Sequence, residues 1–360
     1  MGWINNLFTG KNTSDDTPKQ PSNLLTTQET PFHQAILKRN FGQIHGEIGR
    51  GFDINSRNTY GRTALEVAIT NNDIEMVRYL VSLGANINLT NRNGEGPLSM
   101  AVKSGNLQMI HNLVLMGADI NARSSDGETI MHRFSITQPG DEFIHQELIN
   151  LGGNINARDI LGKTPLHHQV SANSNATVYQ LLANNANVNA RDREGKTPLY
   201  DAVLYADPQT IETLLSFNAN PNIPNIEGKT PLHLSAQITN NETLQKLITS
   251  GAKLNLPDSF GQTPLHLAII NANTQGAIIL IQNGANPRIQ DRMHQTAIQK
   301  SPNQQIFTQI KEAIQDYQVN HPPYTQQQNL NVSRTLAQHS TTYNENNIQH
   351  PNINKSSRNV

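Results

Sequence analysis

The chain has 360 residues, a formal net charge of −1 and no cysteine. A near-neutral chain has no overall field that would attract nucleic acid or an anionic membrane. The absence of cysteine excludes disulfides, thiolate catalysis and cysteine-based zinc sites, and no apolar run reaches the roughly 20 residues that span a bilayer.

The first 24 residues precede any regular pattern. Four apolar residues between Trp3 and Phe8 have helical spacing, and the polar, proline-bearing stretch 10–20 is typical of a linker. We predict that residues 1–24 are a flexible leader. Two alternatives remain: the apolar residues cover the first repeat, or they form a short helix that touches a membrane or a partner.

One short sequence motif then recurs along most of the chain, and its clearest copy runs from Gly261 to His266. The steps between copies are 33 residues, except for one of 35. A fixed period of roughly 20–50 residues is typical of a stacked repeat array. Its glycine falls at Gly61, Gly94, Gly127, Gly162, Gly195, Gly228 and Gly261, and His294 takes its place in the last copy.

We divide the array, residues 25–317, into nine repeats. Each internal repeat predicts two helices: a threonine such as Thr263 caps the first, a proline such as Pro264 fills its first position, and a glycine ends the second. The repeats are 25–57, 58–90, 91–123, 124–158, 159–191, 192–224, 225–257, 258–290 and 291–317.

This recurring sequence pattern resembles the ankyrin repeat. The resemblance rests on G-x-T-P-L-H, a two-helix body and G-A-D/N-x-N, and it covers residues 25–317. It implies an all-α solenoid of helix pairs with β-hairpin-like fingers between them. It also implies a non-catalytic scaffold that binds a partner protein through its concave surface of fingers and first helices. The histidines at 33, 167, 233 and 266 share one position, where the family's imidazole bonds backbone between turns.

Two repeats depart from the pattern. Gly96 stands where the third repeat should have its capping threonine. The fourth repeat lacks the usual first-helix letters and carries two extra residues near Gln138–Gly140. We therefore expect the fourth repeat to be the least regular, with a longer loop between its helices. The first and last repeats are natural caps.

The chain carries no recognisable catalytic, nucleotide-binding or metal-binding motif. His132 and His145, near Asp141 and Glu142, form the best residual cluster. We predict that the protein is not an enzyme and uses no cofactor or metal. Two alternatives are an adaptor that recruits substrates to an enzyme in trans, and an atypical enzyme with its site in residues 124–158.

Positions that flank each turn point outward in the family, and cations outnumber anions there. Charges of one sign along a concave surface favour a partner of opposite charge. We therefore expect a partner protein with an acidic segment, bound along the surface from Arg57 to Lys229. A nucleic acid partner is disfavoured because few aromatic residues are available for stacking. The predicted binding residues are Arg57, Tyr60, Arg62, Arg92, Asn93, Arg123, Arg158, Lys163, Arg191, Arg193, Lys196, Lys229, Phe260 and Gln262.

Asn121 lies in a stretch that resembles ankyrin segments modified by a host asparaginyl hydroxylase. The alternative is a structural asparagine that bonds the finger backbone. Mass spectrometry of protein made with and without that hydroxylase distinguishes the two.

Residues 318–360 are rich in asparagine, glutamine, serine and threonine. Such a composition buries too little apolar surface to offset the entropy of ordering, so we predict a disordered tail. The composition is similar to that of bacterial ankyrin effectors that enter host cells, for example by type IV secretion. We expect a monomer in the cytoplasm, or in the host cell cytoplasm if the protein is such an effector.

Overall fold

In a computed structural model of the protein, residues 30–91, 94–205 and 208–321 are described. The predicted leader (1–24), nearly all of the predicted tail, and the predicted binding residues Arg92 and Asn93 lie outside them. The described residues contain no β-strand beyond two isolated bridges, Arg57 with Thr63 and Gln290 with Thr296. The predicted all-α repeat fold of the solenoid class is confirmed.

The chain divides into two compact bodies, residues 1–186 and 187–360. We call them the N-terminal body and the C-terminal body. The helices of the N-terminal body are α1 (Pro31–Leu37), α2 (Phe41–Gly49), α3 (Ala64–Thr70), α4 (Ile74–Ser82), α5 (Pro97–Lys103), α6 (Leu107–Leu115), α7 (Ile130–Arg133), α8 (Asp141–Asn150), α9 (Pro165–Ser171) and α10 (Asn175–Ala183).

The C-terminal body continues the same alternation of first and second helices. There α13 packs between α11 and α15, and α17 packs against α16. Its helices are α11 (Pro198–Tyr205), α12 (Pro208–Ser216), α13 (Pro231–Gln237), α14 (Asn241–Thr249), α15 (Pro264–Ile270), α16 (Thr274–Gln282), a 3-10 helix (Ala297–Lys300) and α17 (Gln304–Asn320).

The seventh repeat shows why these residues form a helix pair. Thr230 caps α13 in extended conformation and Pro231 fills its first turn, where a missing N–H costs nothing. Leu232 and Leu244, one on each helix, are fully buried against their neighbours. Gly251 then ends the pair with a φ of +85°, a left-handed conformation that glycine adopts without strain.

The predicted structural role of the repeated histidine is confirmed at His233 and His266. In the seventh repeat the Thr230 amide donates to His233 Nδ1 at 3.1 Å. Because Nδ1 is an acceptor, Nε2 carries the proton and donates to the Gln262 carbonyl of the next repeat at 3.1 Å. His266 makes the same bond to the Gln295 carbonyl at 3.2 Å. We call this arrangement the histidine clasp.

The fourth repeat is irregular, as expected. Its first helix, α7, has only four residues, and the chain runs from Phe134 to Gly140 before α8 begins. The buried Asp141 carboxylate holds this loop by accepting the amides of Thr137 at 2.9 Å and Gln138 at 3.0 Å. In the third repeat, Gly96 makes no side-chain capping bond, which also agrees with expectation.

The last repeat consists of the 3-10 helix and α17. Ile306 and Ile310 bury one face of α17, and its other residues face solvent or are half-buried. The helix continues to Asn320, beyond Tyr317, where the array was expected to end.

The histidine clasp predicts that acid destabilises the C-terminal body. Burial lowers the pKa of His233 from 6.5 to about 4. The unfolded chain therefore binds this proton at a higher pH than the folded chain does. The stabilisation is complete above the unfolded pKa and is lost as the pH falls towards 4. We expect this one group to lower the free energy of unfolding by about 2 kcal/mol between pH 7.5 and 5, measured by urea unfolding.

His233→Gln isolates the effect, because Gln299 fills the same position in the ninth repeat. There Gln299 Oε1 accepts the Thr296 amide at 2.8 Å, so glutamine keeps the cap but does not titrate. The stability difference between wild type and His233→Gln should shrink by that amount at pH 5. An equal difference at both pH values would show that His233 contributes none of the acid sensitivity.

Candidate partner-binding surface

Each finger is a tight turn built around one short polar side chain. In the sixth finger, Asp192–Lys196, the Asp192 carboxylate accepts the amides of Glu194 at 2.9 Å and Lys196 at 2.8 Å. Gly195 closes the turn with a φ of +74°. This geometry points the residues at 193 and 194 away from the helices. Asp258 holds the eighth finger in the same way.

Backbone bonds join successive fingers of the C-terminal body into one edge. The Ile226 amide donates to the Glu194 carbonyl at 2.9 Å, Ser259 to Glu227 at 2.8 Å, and Arg292 to Phe260 at 3.0 Å. The backbones come so close that a Cβ on Gly228 would lie 2.8 Å from the Ser259 amide nitrogen. We call the sixth to ninth fingers, joined in this way, the C-terminal finger edge.

Three of the predicted binding arginines bond the protein's own backbone. Arg57, Arg123 and Arg191 each donate to the carbonyl of the glycine in the adjacent finger and to a carbonyl at the end of the following repeat. Arg191, for example, reaches the Gly195 carbonyl at 3.3 Å and the Pro224 carbonyl at 3.0 Å. These arginines therefore link successive repeats. The sequence places them beside the fingers but does not reveal that their guanidinium groups bond backbone carbonyls.

Two predicted lysines form ion pairs within their own fingers. Lys196 pairs with Glu194, which raises the pKa of the lysine above its usual value. Lys229 pairs with Glu227 at 3.1 Å. In each pair the glutamate cancels the positive charge of the lysine. The excess of cations on the predicted partner-binding surface is therefore smaller than the sequence alone indicates.

The other predicted binding residues differ in their exposure. Gln262 is half-buried, and its carbonyl receives the His233 clasp. Lys163 is also half-buried, whereas the remainder are exposed: Tyr60, Arg62, Arg158, Arg193 and Phe260. Among the residues that the structure describes, no hydrogen bond or ion pair engages the Arg193 side chain.

A row of exposed apolar side chains lies at the tips of the C-terminal finger edge. Ile226 is 70% exposed, Phe260 60% and Met293 75%. Only Phe260 was expected among the binding residues. The sequence contains enough information to find these positions, because each of the three residues stands one or two positions before the residue that closes its turn.

Asn121 belongs to a series of asparagines that join repeats. Its Nδ2 donates to the Gly152 carbonyl at 3.0 Å, and its Oδ1 accepts the Asn154 amide at 2.8 Å. Asn222 makes the equivalent bonds to Gly251 and Lys253. The structural alternative for Asn121 therefore has direct support, and its hydroxylation stays a prediction.

The residual cluster proposed around His132 does not assemble as one site. His132 takes the clasp position, with Nδ1 on the Thr129 amide and Nε2 on the Lys163 carbonyl. His145 is fully buried and stacks on Phe134 with ring centroids 5.9 Å apart; burial lowers its pKa to about 4. Thr129, three residues before His132, could have identified the clasp from the sequence.

The helix pairs, clasps and fingers are those of a repeat protein. The family described as ankyrin repeats (3 copies) matches residues 11–91, 32–124, 98–192, 134–225 and 202–291. The chain belongs to the ankyrin-repeat family. No curated protein shows a significant match. Among the described residues, none of the helices has both the length and the apolar character needed to cross a membrane.

Arg191 and Arg193 give a matched test of structural and binding arginines. Arg191→Ala removes the donor from two carbonyl groups, and we expect it to lower the free energy of unfolding by roughly 1 kcal/mol. Arg193→Ala should change it by less than about 0.5 kcal/mol. Urea unfolding at neutral pH measures both. Equal stability of the two variants would mean that Arg191 does not hold the repeats together.

Proposed function

We propose that the chain is a non-catalytic scaffold that binds a partner protein through the C-terminal finger edge and the adjoining first helices. The observation that carries this proposal is the exposed apolar row Ile226, Phe260 and Met293. Exposed apolar patches on a folded protein mark interaction sites. Family membership supports the same role, since ankyrin repeats are generally protein-interaction modules.

The row lies on a rigid support. Its three side chains stand on fingers that are tied together by backbone hydrogen bonds and closed by buried aspartate or asparagine side chains. A pre-organised surface loses little conformational entropy on binding. Most of the free energy released by burying the three side chains would therefore contribute to the affinity for the partner.

The charge beside the row favours an acidic partner segment. Arg193 and Arg292 are exposed on the sixth and ninth fingers, whereas the lysines of the sixth and seventh fingers are neutralised by glutamates. We propose a partner segment with apolar anchors and flanking acidic residues. An adaptor that presents substrates to an enzyme in trans would use the same edge.

The double variant Phe260→Ser/Met293→Ser tests this edge. Loss of two central apolar anchors should weaken partner binding by about 30-fold or more, since interface hot spots cost about 2 kcal/mol or more. Partners are captured with the full chain by cross-linking, identified by mass spectrometry, and measured by titration against each variant.

Val319→Ser is the matched control. Val319 is 79% exposed but lies on α17, away from the fingers, so the control should bind as the wild type does. A second double variant, Arg193→Glu/Arg292→Glu, should also weaken partner binding relative to the wild type and reduce the salt dependence of that binding. A partner that is retained by both finger variants would exclude this edge as its binding site.

A second proposal concerns the tail, residues 318–360. We infer from its polar composition that residues 318–360 direct translocation of the protein from a bacterium into a host cell. Fusion of this segment to a reporter enzyme should carry the reporter into host cells from a secreting strain. A reporter that stays in the bacterium would exclude the signal.

A further inference from the structure

Three side chains in the N-terminal body meet in one place. Glu128 belongs to the fourth finger, Asp159 to the fifth finger and His168 to α9. One oxygen or nitrogen atom from each lies within 4.8 Å of the others. Within residues 30–91, 94–205 and 208–321, no other group of three histidine, aspartate or glutamate side chains is so close.

Each carboxylate is held through one oxygen and turns the other towards the His168 ring. Asp159 Oδ1 accepts the amides of Leu161 and Lys163, both at 2.8 Å, and its Oδ2 lies 2.8 Å from His168 Nε2. Glu128 Oε2 accepts Arg133 Nε at 2.7 Å, and its Oε1 lies 3.7 Å from His168 Nδ1. Outer bonds of this kind fix the orientation of metal ligands.

The nearby imidazole of His132 does not join the set. Its ring centroid lies 5.1 Å from that of His168, but both of its nitrogens are used in the histidine clasp. The two carboxylates outnumber the one guanidinium paired with them, that of Arg133. A divalent cation would therefore be attracted to this group.

We propose that Glu128, Asp159 and His168 bind a divalent transition metal, with Zn²⁺ as the best fit. An imidazole nitrogen favours zinc over calcium and magnesium, which prefer oxygen ligands. Three protein ligands leave a fourth position of a tetrahedral site for water or for a side chain of a partner. Because Glu128 and Asp159 belong to consecutive repeats, the metal would join the fourth finger to the fifth.

The chain itself supplies substitutions that the fold tolerates. Asparagine fills the Asp159 position in other fingers, at Asn58 and Asn225, where it holds the turn through the same amides. Leucine fills the His168 position in α13 and α15, at Leu234 and Leu267. Asp159→Asn and His168→Leu should therefore remove a ligand without loss of the fold, which circular dichroism checks.

The test titrates ZnCl₂ into the full chain after treatment with a chelator, with isothermal titration calorimetry as the readout. We expect one Zn²⁺ per chain, and a dissociation constant weakened about 30-fold or more in Asp159→Asn and in His168→Leu. Co²⁺ should give the visible absorption of a tetrahedral ion in wild type and lose it in both variants.

His111→Leu is the control for adventitious binding. His111 pairs with Glu147 at 3.2 Å on the surface and has no third ligand, so this variant should bind Zn²⁺ as the wild type does. Absence of stoichiometric binding to the wild type would overturn the proposal. Equal affinity in wild type and His168→Leu would do the same, because it would place the metal elsewhere.

Discussion

The histidine clasp joins successive repeats in the interior, at His132, His233 and His266. It puts a polar ring in the interior, where an unpaired nitrogen would cost about 1–3 kcal/mol. Both nitrogens of His233 are paired, one within its own repeat and one with the next. The ring therefore fixes the distance between two successive turns. Because the fingers are continuous with those turns, the clasp also sets the spacing of the finger tips.

Repeats without the histidine show what the clasp supplies. In the second repeat Glu66 takes its place, caps the Thr63 amide at 2.9 Å and pairs with Arg57 at 3.3 Å. In the third repeat Gly96 and Ser99 replace both clasp residues, and a cleft of about 40 Å³ opens beside them. The residues that identify the family thus build the helix pairs and the contacts between repeats.

The sequence predicts most of the fold because the deciding interactions are local. Caps, prolines and glycines act within a few residues. Because the period is constant, the same local structure recurs in each repeat. The orientation of Arg191 was not predictable, since its partner carbonyl, that of Pro224, lies a full repeat away. The group of Glu128, Asp159 and His168 was missed for the same reason. Asp159 and His168 share one repeat, and Glu128 reaches them only because the fourth repeat stacks on the fifth.

The junction of the fourth and fifth repeats concentrates the departures from the pattern. The shortened α7 leaves backbone groups that a full helix would satisfy, and the fifth repeat supplies their partners. Gln169 stands where other first helices carry alanine or serine, and its Nε2 donates to the His132 carbonyl at 2.9 Å. Thr177 Oγ1 accepts the Ile136 amide at 2.7 Å.

Both side chains are buried, so the fourth repeat adds polar contacts with the fifth to its apolar packing through Met131 and Leu148. Polar contacts are directional, and a small shift between the two repeats would break several of them together. A metal bound by Glu128, Asp159 and His168 would act on this same junction. Its effect on the chain would therefore reach beyond three side chains to the register of the whole fourth repeat.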